Sequence, residues 1–145
     1  MAGFERVIEI EAPPAVVWAI LEDVEKWPTW TPSILSVVRQ DSGAFGVGST
    51  AKVKAKGFPE GLLRVTEFSP GRSFTWQGSS GPGFRVLLGH TIEPVSGGSR
   101  VTLSITPAGP AAIFMGWLVA RLSKPNINTE AESLKVRAEQ IAREA

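Results

Sequence analysis

The sequence predicts an α+β domain: seven strands in an antiparallel sheet, two short helices after the first strand, and one long C-terminal helix. Three observations lead there. Residues 4–11 alternate like a half-buried strand, residues 33–106 carry turn signals at short and regular intervals, and the last 35 residues change their apolar period from two to 3.6. At 145 residues, with 43% hydrophobic and 20% charged side chains, the chain reads as one domain spanning 1–145, large enough to bury a core.

The elements follow in order. In residues 4–11 Phe4, Ile8 and Ile10 share one face, and Glu5, Glu9 and Glu11 the other. Pro13-Pro14 suits the first turn of a helix, where a missing N–H leaves no bond unmade. Val17, Ile20, Leu21 and Val24 then recur at helical spacing, until Pro28 disfavours helical geometry at Trp27. Turns are expected at Asp41-Ser-Gly43, Gly57-Phe-Pro-Glu-Gly61, Ser69-Pro-Gly71, Gly78-Ser-Ser-Gly-Pro-Gly83 and Ser96-Gly-Gly98. Between them lie strands near 35–41, 50–56, 62–68, 72–78, 84–93 and 100–106. Their short connections demand antiparallel pairing, because a parallel neighbour needs a long crossover.

Alternation shows which face is covered. Lys52, Lys54 and Lys56 point one way and Ala51, Val53 and Ala55 the other; Phe84, Val86, Leu88, His90 and Ile92 form a second inward row, and Val101, Leu103 and Ile105 a third. A helix is expected from Pro110 through Leu122, broken or kinked at Pro125 and restarted by a capping box at Thr129-Glu-Ala-Glu132. Ile127, Ala131, Leu134, Ala138 and Ile141 then form a single apolar stripe. About 30 helical residues at ~1.5 Å each give an element long enough to cross a whole sheet.

Composition removes several kinds of chemistry. The chain has no Cys, which excludes disulfides, thiolate metal sites and thiol nucleophiles, and a single His, which excludes His-rich metal sites. There is no Tyr to act as a phenolic acid, and no Gly-x-Ser-x-Gly elbow, phosphate-binding loop, dinucleotide fingerprint or metal-ligand cluster. No cofactor or metal is expected. Fifteen Lys+Arg balance fourteen Asp+Glu, so no nucleic-acid partner is expected either. The longest uncharged apolar run, residues 108–120, is shorter than a membrane span, and residues 1–6 open no signal-peptide pattern. The expectation is a cytoplasmic protein without a transmembrane segment.

The local runs add a resemblance. Ala12-Pro-Pro-Ala-Val-Val-Trp18, Leu21-Glu-Asp23 and Trp27-Pro-Thr-Trp30-Thr-Pro-Ser-Ile34 come first. Val65-Thr-Glu-Phe-Ser-Pro-Gly71, His90-Thr-Ile-Glu-Pro94, Gly98-Ser-Arg-Val-Thr102 and Leu134-Lys135 follow. Together these resemble the START-like, helix-grip superfamily, in particular its polyketide cyclase/dehydrase and lipid-transport branch. The resemblance covers essentially the whole chain and speaks to fold more than to chemistry, since such domains include ligand carriers, hormone receptors, aromatase/cyclases and co-chaperone-like proteins. It implies a curved sheet wrapped around the long, kinked C-terminal helix, with an elongated cavity between them.

On that architecture the expected cavity lining is Val53, Ala55, Phe74, Trp76, Phe84, Val86, Leu88, His90, Val101, Leu103 and Ile105 from the sheet, and Trp27, Trp30, Ile34, Phe114, Leu118 and Leu134 from the helical segments and their flanks. Each of these side chains either lines the cavity or simply fills the core. Phe58, an apolar residue in the first glycine-bounded loop, joins the list because that loop and the one at 78–83 either resemble gating loops of ligand-binding relatives or are plain hairpin turns. A ligand held by such a lining is small and apolar or aromatic, each covered ring contributing on the order of 2 kcal/mol.

His90 is the candidate chemical group, as a polar anchor or general base, or else as a hydrogen-bonded core histidine. Glu67, Arg72 and Arg121 are the charged side chains whose orientation alternation leaves open. The first functional expectation is binding or transport of a small hydrophobic molecule or lipid. The alternative is a cyclase/dehydratase using His90 as base. The apolar run around residues 113–119 leaves room for a third role, contact with a membrane or with a second copy in a homodimer.

Overall fold

Strand β1 (Phe4–Ile10) leads into helix α1 (Pro14–Glu22), whose first turn accepts Pro14 without loss, and a 3-10 turn at Val24–Thr29 that contains Pro28. Strands β2 (Ile34–Arg39), β3 (Thr50–Ala55), β4 (Gly61–Ser69), β5 (Ser73–Ser79), β6 (Arg85–Val95) and β7 (Gly98–Ala108) follow, and helix α2 (Ala112–Glu144) ends the chain. This computed structural model describes residues 3–79 and 81–145; Met1, Ala2 and Ser80, the last within the second glycine-rich loop, lie outside the described residues.

The strands form one seven-stranded antiparallel sheet in the order β1-β7-β6-β5-β4-β3-β2. Every hairpin from β2 to β7 joins sequence neighbours, as the short turns require. β1 is the exception and pairs with β7 across the chain, Phe4 opposite Ile105 and Ile10 opposite Ser99. A register shift between Val65 and Glu67 in β4 inserts one residue and leaves Thr66 and Glu67 both exposed, which settles the orientation of Glu67. Arg121 is exposed as well, and Arg72 is exposed in the turn between β4 and β5.

Helix α2 packs across β1 and β7 and against α1. Its apolar stripe is buried as expected at Ile127, Ala131, Leu134 and Ala138, with Ile141 half-buried at the end. Polar contacts fasten the same helix to β1. Arg6 bonds to Asn128 Oδ1 at 3.0 Å and pairs with Glu132, while Lys135 Nζ donates to the Glu9 carbonyl at 2.9 Å. Glu132 therefore serves an ion pair with Arg6. The expected capping-box restart at Thr129 does not occur, because α2 runs through Pro125 as one uninterrupted helix of 33 residues.

The entry to α2 depends on Gly109, whose φ is +92° and whose missing Cβ would lie 2.4 Å from the Gly83 carbonyl oxygen. Among the described residues no helix is long and apolar enough to cross a membrane.

The core is rich in rings. Phe74 is fully buried, in edge-to-face contact with Trp18, Phe45 and Trp76. This cluster fills one end of the space between sheet and helix.

Candidate functional site

The other end of that space is open. A cavity of about 240 Å³ lies between the inner face of the sheet and α2. Pairing across β5, β6 and β7 builds its floor in rows, Phe74–His90–Leu103 and then Trp76–Leu88–Ile105. Phe74 closes the first row as a packed core residue, while the other five side chains face the cavity. Val53 and Ala55 of β3, Ile34 of β2 and Trp27 of the 3-10 turn complete the apolar wall. Trp27 is held in place by its indole N–H, which donates to the Leu21 carbonyl at 3.0 Å.

Both glycine-bounded loops reach the site. The β3–β4 loop contributes Phe58, Pro59 and Gly61, with Leu62 just beyond it, and the β5 end contributes Gly78 and Ser79. Pro59, Leu62 and Ser79 are exposed, so the cavity opens to solvent on this side. The loop is fastened at its β3 margin. Asn126 Nδ2 of α2 donates to the Lys56 carbonyl at 2.8 Å, and Lys54 Nζ donates to the carbonyls of Ala55 at 3.2 Å and of Phe58.

The α2 wall is more polar than the sequence suggests. Ser123, Asn126, Ile127 and Glu130 follow each other at helical spacing and all line the cavity. Glu130 is not in the set expected from sequence. Its signal is an acid between Ile127 and Leu134 on the buried stripe, but a helix restart at Thr129 would place Glu130 in an exposed first turn. An unbroken helix turns it inward, to a side-chain exposure of 13%.

His90 is the second ionisable group of the site, 4% exposed. Its ring stacks on Phe74 at a centroid distance of 4.3 Å and meets the Trp27 ring edge-on at 5.4 Å. Nδ1 lies 3.2 Å from the Phe74 carbonyl oxygen. A carbonyl can only accept, so the proton sits on Nδ1 and Nε2 presents a lone pair. That lone pair faces Glu130 Oε2 at 3.7 Å.

Burial decides the charge of this pair. Desolvation lowers the His90 pKa to about 4, against a smaller opposing effect of the Phe74 carbonyl, and raises that of Glu130 to about 8. Near neutral pH imidazole and carboxylic acid are therefore both uncharged. The contact is close enough for an ion pair but does not act as one; it is a neutral donor facing a neutral acceptor inside an apolar chamber. Among the described residues no group of three or more His, Asp or Glu side chains is placed to hold a metal ion.

Seven of the expected lining residues lie elsewhere, Val101 and Leu134 among them as fully buried core residues. Phe74 belongs to the packed ring cluster, and Phe84 is buried just before β6 without reaching the cavity. Trp30 packs in a groove between α1 and the C-terminal half of α2, with its buried indole N–H unpartnered. Phe114 and Leu118 are 78% and 42% exposed, which corrects their placement inside. The reason is the small-residue series Gly116, Ala120 and Ser123, which forms the buried side of this helical segment and turns its large side chains outward.

Comparison with known proteins agrees on the architecture. Residues 1–139 match the family model described as polyketide cyclase / dehydrase and lipid transport. Uncharacterized proteins of Mycobacterium tuberculosis and Mycobacterium bovis are 25% identical over 127 residues, covering 77% of this chain and 71% of theirs. Among solved structures, a START superfamily protein from Mycobacterium smegmatis superposes with a TM-score of 0.69 at 19% identity, over 96% of this chain and 98% of that one. A protein from Thermus thermophilus superposes with a TM-score of 0.74 at 18% identity, over 97% and 99%. The structure named Ara h 8.0201 gives 0.63 at 21% identity, over 91% and 96%.

Proposed function

The chain belongs to the polyketide cyclase / dehydrase and lipid transport family, and on that footing we propose that it binds and carries a small hydrophobic molecule in the cavity between the sheet and α2. One observation carries the proposal: a largely apolar chamber of about 240 Å³, open beside the β3–β4 loop, whose ionisable lining groups are the neutral pair His90 and Glu130. Trp27, Ile34, Val53, Trp76, Val86, Leu88 and Leu103 supply the apolar contact, and Phe58 stands at the opening. A carboxylic acid and an imidazole lone pair, both uncharged, favour an uncharged ligand carrying one hydroxyl or carbonyl. A carboxylate would meet Glu130 with no Lys or Arg among the described lining residues to balance it.

The alternative role, a cyclase/dehydratase with His90 as general base, draws support from Glu130, an acid that faces His90 Nε2 at 3.7 Å. The magnitude of the His90 shift weighs against it. A base held at about 4 is weak near neutral pH, where an efficient one is poised close to 7. Binding is therefore the primary role.

Native mass spectrometry of the purified chain, together with uptake of an apolar fluorescent probe, tests this. The expected result is probe uptake that quenches the fluorescence of Trp27 and Trp76 and is blocked in Leu88→Trp and Val53→Trp variants, which fill the chamber. Failure of the folded protein to take up any apolar probe overturns the carrier role. Turnover of a polyketide-like substrate lost in His90→Gln would instead establish the catalytic alternative.

A further inference from the structure

The first part of α2 contains the most exposed apolar segment of the helix. Ile113 is 80% exposed, Phe114 78%, Trp117 55% and Leu122 56%, with Met115 and Leu118 also exposed beside them. A helix apolar on its outer face normally meets another surface. Here the inner face is already occupied, because Gly116, Ala120 and Ser123 lie against the rest of the fold. The large side chains are thus left over from folding.

The charges on the same segment indicate the partner. Between Ala112 and Thr129 the helix carries Arg121 and Lys124 and no acidic residue. Both cations are exposed, Lys124 resting over the Phe4 ring at 5.2 Å. Lys56, likewise exposed, is held beside this helix through the Asn126 bond to its carbonyl; Glu60 in the same loop is the nearby acid in sequence. A symmetric contact with a second copy would bring the Arg121 and Lys124 of both copies to one interface with no carboxylate from either segment to meet them. A bilayer with anionic headgroups suits the pattern better. Apolar side chains enter the acyl boundary, Trp117 sits at headgroup level, and long cationic side chains extend to the phosphates.

We propose that the Ala112–Leu122 segment of α2 docks in the plane of an anionic lipid surface. This surface is independent of what fills the cavity, so the proposal stands whether or not the carrier role does. It also gives that role a geometry, since Val119 of the docking segment lines the chamber on its other side.

The test is co-sedimentation of the full chain with phosphatidylcholine vesicles, with and without phosphatidylglycerol, at low and high salt. Binding is expected to require phosphatidylglycerol, to weaken with salt, and to bring Trp117 within quenching range of brominated lipid. Phe114→Ser and Trp117→Ser should each weaken binding by about tenfold while leaving Tm unchanged, because both side chains are exposed. Leu35→Ser, at a comparably exposed apolar residue on β2, should leave binding as it was. The proposal is overturned if folded protein does not pellet with anionic vesicles, if neutral vesicles bind equally well, if Leu35→Ser has the same effect as Phe114→Ser, or if these substitutions dissolve a dimer and leave vesicle binding intact.

Discussion

His90 Nε2 and Glu130 Oε2 stand 3.7 Å apart across the cavity, one from the middle of β6 and the other from the middle of α2. Sheet and helix thus contribute one ionisable group each, and both are held uncharged by burial.

The first consequence is a stability profile with a particular sign. Glu130 has a raised folded-state pKa, so between about 4.5 and about 8 the folded protein retains a proton that the unfolded chain has lost, and stability falls as pH rises. His90 has a depressed one, so between about 4 and 6.5 the unfolded chain holds the extra proton, and stability rises with pH. The two slopes oppose each other from 4.5 to 6.5 and leave Glu130 alone above it. Urea midpoints should be nearly level across that window and then drop towards pH 8, at up to ~1.4 kcal/mol per pH unit. Glu130→Gln should flatten the drop. An unchanged slope in that variant would show that the carboxyl is not held protonated.

Leu134→Ala should destabilise by about 2–5 kcal/mol, because Leu134 is fully buried where α2 crosses the sheet. Val136, on the same helix, is 67% exposed, and Val136→Ala should stay within about 0.5 kcal/mol. Paired denaturant titrations compare the two. Similar losses at both positions would place the helix in a different rotation.

Gly109→Ala combines an unfavourable backbone conformation with a collision against the Gly83 carbonyl. The expected loss is about 1–3 kcal/mol, read from the melting temperature. A neutral result would mean that the turn between β7 and α2 relaxes freely.

Asn126→Ala removes the bond that holds the β3–β4 loop to α2. Global stability should change by about 1 kcal/mol or less. Hydrogen exchange should rise at residues 57–61 and not in β6. Uniform deprotection of the sheet would argue that Asn126 supports the core instead of the loop.

Much of this architecture is legible in the residues because the sheet has one wet and one covered face. Period-two alternation places His90, Leu88 and Val86 inward on β6 with no information about neighbours, and the turn glycines mark the hairpins. Reading the helix is harder. Periodicity around 113–119 is weak because nearly every side chain there is apolar, and the informative residues are the small ones, Gly116 and Ala120, which permit close approach. Pro125 reads as a break or a kink in the sequence, and packing on both sides carries the helix through it without interruption. That one difference hides Glu130 and Asn126, whose inward direction depends on an unbroken helical phase. Trp30 and Phe84 escape the sequence for another reason. Alternation and apolarity indicate burial, but they do not distinguish a residue facing a void from one packed on all sides.

The pairing of β1 with β7 has a kinetic meaning. Phe4 meets its partner Ile105 only after about a hundred intervening residues have been made, so the first strand of the sheet to leave the ribosome is among the last to find its place. A circular permutant that begins at β2 and joins β1 after α2 would separate these strands less, and its refolding should be measurably faster.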